Sequence, residues 1–327
     1  MKQYLTCLIC ALLVPLLSFS VQAQPEQGWK KVDTKNKPTA RHENAFTSLD
    51  GTLYLLGGRG RDSIEAYDPS TKTWEKVADL PKEMHHFQAR AYDGKIWVIG
   101  ALNGGFPKED PIANIYTFDP DTQEWTVQGK IPEGRRRGTA GLALYDGKFY
   151  LIGGNTNGHY DGYVPWLDRY NPETGEWTKL PDAPHSRDHA QAGIVDGKLI
   201  VAGGRQTSAA TDEIFTRTIA ATDVYDLEEQ EWTTAEDIPT ERAGTASTVV
   251  NGKYVVVGGE SGASDQGHPQ VEVFDPSTMS WESWPSLNNG RHGTQVTFLN
   301  DGLYIAAGSG GRGGGPELTS MEYLPLK

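Results

Sequence analysis

Six tryptophans recur at nearly constant spacing along this chain, and that period limits its fold more than any other feature. They are Trp29, Trp74, Trp125, Trp177, Trp232 and Trp281, separated by 45, 51, 52, 55 and 49 residues. Five of them follow a short aromatic–acid or aromatic–amide motif: Tyr67-Asp68-Pro69, Phe118-Asp119-Pro120, Tyr170-Asn171-Pro172, Tyr225-Asp226-Leu227 and Phe274-Asp275-Pro276. Apolar runs upstream end in a glycine pair or a relic of one, at Gly57-Gly58, Gly100-Ala101, Gly153-Gly154, Gly203-Gly204, Gly258-Gly259 and Gly308-Ser309. Before each run stands a turn dipeptide: Asp50-Gly51, Asp93-Gly94, Asp146-Gly147, Asp196-Gly197, Asn251-Gly252 or Asp301-Gly302. Such dipeptides favour two-residue hairpins because both central residues tolerate positive φ. A unit of about 50 residues with hairpin signals and no helical periodicity implies a repeated all-β architecture.

Each repeat reads as four short strands, the third ending in the aromatic–Asp motif and the fourth starting at the tryptophan. These residues resemble kelch repeats over nearly all of the chain beyond residue 23. The resemblance implies a six-bladed kelch-type β-propeller. The sixth repeat supplies three strands, ending near Met321-Glu322-Tyr323, and no tryptophan follows. Trp29-Lys30-Lys31-Val32 matches Trp74-Glu75-Lys76-Val77, so the N-terminal strand around Trp29 is expected to complete the last blade. That closure leaves no open sheet edge. The glycine pairs are expected where inner strands crowd the axis, and the tryptophans between blades, each with an N–H needing a partner. The Gly310–Gly315 run lacks a following Gly-Lys-Ser/Thr and reads as a connection, not a phosphate loop.

Lys2, an apolar stretch from Leu5 to Phe19 and then Val21-Gln22-Ala23 read as a signal peptide cleaved after Ala23. The expected organisation is residues 1–23 as signal peptide and 24–327 as a single propeller. An uncleaved anchor is the alternative, but Thr6 and Pro15 interrupt a stretch already short for a span. Cys7 and Cys10 lie in the removed segment, leaving no thiol for a disulfide, a thiolate metal site or a nucleophile. A periplasmic or secreted location with no membrane span after cleavage is expected. The formal charge of −13 becomes −14 when Lys2 is lost (−13 − 1), which disfavours nucleic acid and anionic membranes as partners.

Function is expected on the face with long, variable loops. Nine residues before the hairpin turns stand Arg41, Met84, Arg137, Arg187 and Arg242. Arg291 takes the matching place in a sixth repeat that reads as one residue longer before its turn. Five arginines could ring an anion, but an arginine here belongs to the kelch pattern, and pairing with backbone and acids is the favoured reading. The two positions that follow depart from the small residues usual in the repeat. They hold His42-Glu43, His85-His86, Asp188-His189 and His292, while repeats three and five keep Gly138-Thr139 and Ala243-Gly244. Five of the eight histidines are thus expected near one axis, as in a shared ligand pocket. A second loop set offers Phe106 and Lys108, then His159, Tyr160, Asp161, Tyr163 and Trp166. Arg205, Phe215, Arg217, Glu260, His268 and Arg312 follow in the later repeats.

Kelch-like propellers include galactose oxidase and the bacterial sialic acid mutarotases, and the likeness here is of fold and export, without a matched catalytic motif. It implies a carbohydrate ligand, neutral or acidic, at the central mouth. His85, His86, His189 and His292 are the candidates for proton transfer, with Tyr163 as a second acid. Arg41, His42, Arg137, Arg187, Arg242, Arg291, Trp166, Arg205 and Arg312 are the candidate ligand-binding residues, arginine being suited to a carboxylate. Mutarotation, epimerisation and β-elimination all fit. Copper-radical oxidation is disfavoured, because in the galactose oxidase family it needs a tyrosine crosslinked to a cysteine. No cofactor is expected. A histidine metal site is the weakest reading, since His85 and His86 are adjacent and no ligand spacing recurs. The competing reading is a non-catalytic propeller whose loop face binds a protein or a cell-surface polymer. A deep, closed cavity would favour a small ligand, and a shallow rim a macromolecule.

Overall fold

The computed structural model describes Pro25 and residues 27–326, so the signal peptide expected over residues 1–23 and its cleavage after Ala23 lie outside the described residues. Six four-stranded antiparallel sheets follow one another along the chain. In the first, Ala45–Leu49, Thr52–Leu56, Ser63–Asp68 and Thr73–Asp79 lie side by side in that order. The other innermost strands are Ala89–Tyr92, Gly141–Tyr145, Ala192–Val195, Ala246–Val250 and Val296–Leu299, each beside the next around a central axis. This is the expected six-bladed propeller. No helix among the described residues is long and apolar enough to cross a membrane.

The ring closes as expected. Lys30–Lys31 pairs with Met321–Pro325 in the register Lys30 with Tyr323 and Lys31 with Glu322. Trp29 is buried, its indole N–H donating to the Pro285 carbonyl at 2.9 Å. Four other tryptophans use the same contact, donating from Nε1 to the carbonyls of Asp79, Lys130, Pro181 and Glu236 at 2.8–3.1 Å. Each acceptor ends the outer strand of the preceding blade or lies just beyond it, so one indole ties each pair of neighbours. Trp74 sits at the seam and differs. Its Nε1 has no partner, and Asn36 Oδ1 instead accepts from the Trp74 backbone N–H at 2.8 Å. The aromatic residue of each Asp motif stacks on its cross-strand tryptophan, with centroids 5.0–5.3 Å apart.

Two details of the sequence reading are corrected. The sixth hairpin turns at Asn300-Asp301, since Leu299 pairs with Gly302 and Asn300 takes φ +55°. The doublet of that blade is accordingly Ala307-Gly308, with the Ala307 N–H on Ser320 O as the Gly57 N–H is on Ser63 O. The sixth repeat therefore has no extra residue, and Gly302 is a strand residue whose Cβ would strike the Tyr323 ring at 2.2 Å. The glycine pairs also serve a different purpose from crowding between inner strands. A Cβ on Gly58 would lie 2.8 Å from the His42 carbonyl, and one on Gly204 2.8 Å from that of Asp188. Glycine lets the end of the second strand touch the loop that carries the candidate site.

The axis is filled by a pattern the sequence reading missed. Innermost strands have one unpaired edge, and buried backbone groups need partners. Gln88, Gln191 and Gln295 supply them from alternate blades. The Oε1 of Gln88 accepts from Leu142 and Ala192 N–H at 2.7 and 3.2 Å, and that of Gln295 from Ala89 and Phe46 N–H at 2.9 and 3.2 Å. Gln191 accepts from Ser247 N–H at 2.7 Å and donates to Thr294 O at 3.1 Å. The equivalent places in the odd blades are Ala45, Gly141 and Ala246, small enough to admit the amides. Replacing Gln88 by Leu strands two buried N–H groups and is expected to cost about 1–3 kcal/mol by denaturant unfolding. An unchanged midpoint would mean the amides do not bridge the blades.

Candidate functional site

Above the glutamines the backbone forms a ring. Glu43, His86, Thr139, His189, Gly244 and Gly293 occupy the same place in successive blades, with φ of 57, 55, 54, 53, 62 and 64°. The N–H of each of the last five donates to the carbonyl of the one before at 2.8–3.0 Å, and Asn44 N–H closes the circle on Gly293 O at 3.2 Å. A side chain in this left-handed region costs about 1–2 kcal/mol. Gly244 and Gly293 make the ring without that cost. Glu43, His86, Thr139 and His189 adopt it despite that cost, three of them with charged or titratable side chains.

Glu43 and His86 line a recess of about 300 Å³ opening on the loop face, and His189 stands beside the narrower axial space beneath it. Its walls include His42, Glu43, His86, His159 and His292, then Arg59, Arg205 and Glu260, with the rings of Phe106 and Phe215. Below it the axial space narrows to about 40 Å³ among Gln88, Gln191, Thr139 and Thr294. The recess therefore has a floor.

The walls are charged and internally paired. Arg205 meets Glu260 at 2.6 Å and Arg59 meets Glu109 at 2.5 Å. His42 Nδ1 lies 2.8 Å from Glu317. His292 Nε2 donates to the Gly311 and Gly313 carbonyls at 2.9 and 2.8 Å, while its buried Nδ1 lies 3.8 Å from Glu43 Oε1 without a hydrogen bond. Burial works to raise the Glu43 carboxyl, but His292, His189 and His42 together bring it below its ordinary range. Burial likewise opposes ionisation of Glu260, and His292 and Arg205 outweigh it to hold the group well down. His86 is driven well below the usual imidazole range by burial and by His85, and His189 is lowered by burial and Arg205.

The expected residues divide sharply. His42, His86, His189, His292 and Arg205 come together at the axis. His85 is one layer back, its ring held between His86 Nδ1 at 2.6 Å and the Gly104 carbonyl at 3.0 Å, and burial with the nearby Arg59 lowers it to about 4. Tyr163 lies outside the recess beneath Arg217, and Trp166 beneath Arg135. Arg312 sits at the rim against Asp265 at 2.7 Å.

The arginine ring does not line the recess. Arg41, Arg137, Arg187, Arg242 and Arg291 are all at most 1% exposed. Each reaches an acid on the third strand: Glu65, Asp168, Asp223, Glu272 or Glu322, at 2.5–2.8 Å. Each also donates to the carbonyl of the first doublet residue, from Gly57 through to Ala307. Blade two lacks the pair altogether, with Met84 and Tyr116 in the two places, both in one apolar cluster. Arginine and acid are replaced together, as a structural pair would be.

Arg59, Glu109, Thr207 and Glu317 are site or supporting residues that the sequence reading did not name. Arg59 had a usable signal. It directly follows the glycine doublet, as Arg205 and Glu260 do, and that position bridges to the inward loop in most blades. Glu109 comes from an irregular loop and had none.

Fold and site together define a six-bladed propeller with a floored axial recess walled by charged and aromatic side chains. The domain described as KLHDC2/KLHL20/DRC7 Kelch-repeats matches residues 104–308, and the Kelch motif matches residues 40–81. The chain belongs to the kelch-repeat family. It is 31% identical over 286 residues to Kelch-like protein terF of Aspergillus terreus, covering 82% of this chain and 61% of that one. It is 24% identical over 261 residues to Kelch-like protein 25 of Xenopus tropicalis, covering 76% and 42%. The chain therefore spans less than two thirds of the length of these relatives. The solved structure of YjhT superposes with a TM-score of 0.73 at 14% identity over 90% of this chain and 95% of that one, a likeness of fold.

Proposed function

We propose that this chain is exported and binds a small polyhydroxy ligand, a carbohydrate, in the axial recess, where it performs acid–base chemistry. The floored recess of about 300 Å³ carries this reading. A cavity of that size takes a small molecule. Its carboxylates and imidazoles suit hydroxyl groups, and the faces of Phe106 and Phe215 suit the C–H surface of a sugar ring. Arg59 and Arg205 already face Glu109 and Glu260, which favours a neutral sugar over an acidic one. Glu43 lines the recess, and its carboxylate can accept a proton from an anomeric hydroxyl or an acidic carbon. The Lys2-to-Ala23 pattern supports export.

The first test is thermal shift of chelator-treated protein against neutral monosaccharides, sialic acid and uronic-acid oligosaccharides. A neutral sugar at a hundred times its Kd is expected to raise the melting temperature by roughly 5–10 °C, through about 2.7 kcal/mol of linkage. Glu43→Gln should remove most of that rise. No shift with any sugar would overturn the reading and point to a protein or polymer on the loop face.

A further inference from the structure

Three histidines from three successive blades meet at the base of the recess, His86 and His159 on its wall and His189 on the axial space beneath. His86 and His189 stand on the axial ring, and His159 arrives from the loop after Gly153-Gly154. Their ring centroids are 4.8–5.2 Å apart, and one nitrogen from each lies within 4.8 Å of the others. All three are at least nine-tenths buried.

The other nitrogen of each ring is occupied. His159 Nδ1 bonds Glu109 at 2.9 Å, His189 Nδ1 bonds Asp188, and His86 Nδ1 faces His85 Nδ1 at 2.6 Å. The Nε2 atoms are thereby directed at one another. His189 Nε2 has no hydrogen-bond partner although it is buried, and His86 Nε2 has only the Glu43 carboxylate at 3.4 Å. An orphaned buried nitrogen carries a cost unless something satisfies it.

The supporting residues are themselves built in. Glu109 also accepts from the His159 backbone N–H at 2.8 Å and from Arg59 at 2.5 Å. Gly158 admits this approach, since a Cβ there would lie 2.1 Å from Glu109 Oε2. Asp188 is fixed by the Thr207 backbone N–H at 2.9 Å and its hydroxyl at 2.6 Å. Carboxylates that orient histidines through the distal nitrogen are the usual outer layer of metal sites.

We infer that His86, His159 and His189 form a binding site for a divalent first-row transition metal, of zinc or cobalt type, through their Nε2 atoms. Imidazole nitrogens bind such ions at about 2.0–2.1 Å, so the rings need to close by roughly an ångström on binding. Three protein ligands leave a fourth position, which here opens on the recess beside Glu43. That is the arrangement of a metal that meets a ligand from solution. The site stands independently of the carbohydrate reading.

The test is calorimetric titration of untagged, chelator-treated protein with zinc, and with cobalt followed by its visible absorption. The expected result is one zinc per chain with submicromolar Kd, and a cobalt spectrum of tetrahedral type. His159→Ala and His189→Gln should each weaken zinc at least 100-fold and abolish the cobalt bands. Glu109→Gln keeps all three ligands and should weaken zinc 10- to 100-fold. Circular dichroism and melting of each metal-free variant guard against misfolding. Zinc binding only above about 100 μM, or binding unchanged in folded His159→Ala, overturns the site. Sugar-induced stabilisation of metal-free protein is read separately, so either idea can fail alone.

Discussion

Trp29→Ala is expected to lower the melting temperature by roughly 10 °C, and removal of residues 24–34 by more. Trp29 is 4% exposed and packs with Val271, Trp284, Leu287 and Leu324 in the cluster between the fifth and sixth blades. Truncating a buried tryptophan costs about 3–5 kcal/mol. The change also removes the indole bond to Pro285. In a domain of this size each kcal/mol is worth about 2–4 °C. Removing the whole segment further strips the pairing with Met321–Pro325 and the Val32 N–H bond to Met321 O. The ring then ends in an open sheet edge, which invites association as well as unfolding. Scanning calorimetry with light scattering reads both effects. An unchanged melting temperature in the deletion would mean that the N-terminal strand does not close the last blade.

Arg242→Met should cost about 3–5 kcal/mol, the penalty for leaving a buried carboxylate without its cation. Arg242 meets Glu272 at 2.5 Å and donates to Gly258 O and Thr240 O at 2.6 Å each. Blade two suggests the remedy, because Met84 and Tyr116 stand where the other blades hold arginine and acid. Arg242→Met with Glu272→Tyr is therefore expected to recover part of the loss, since no charge is left unpaired. Urea unfolding of the two single variants and the double variant gives the coupling energy. A double variant no more stable than the singles together predict would show that the arginine acts through the doublet carbonyl alone. The axial recess should be untouched by either change, because this pair lies outside it.

Much of the architecture was readable from the period. Turn dipeptides, doublets and tryptophans mark each blade because the same packing problem recurs every 50 residues or so. A pattern seen five times also identifies its sixth, weaker copy. Even the error in blade six had a physical basis. Asp301-Gly302 looks like the other turns, but the Tyr323 ring, not the turn, is what requires glycine at 302. The arginines misled in the opposite sense, as their charge suggests a ligand while Glu65 and its equivalents neutralise them inside the blades.

The site was legible only where it follows the repeat. Glu43, His86 and His189 stand at one position of the unit and could be aligned by counting. His159 and Glu109 stand in irregular loops, where no period says which side chain turns inward, and the amides at Gln88, Gln191 and Gln295 recur only in alternate repeats. Repetition encodes contacts that each blade makes with the next. Contacts at the axis join loops of unequal length from neighbouring blades, and only the packing of those blades brings His86, His159 and His189 within reach of one another.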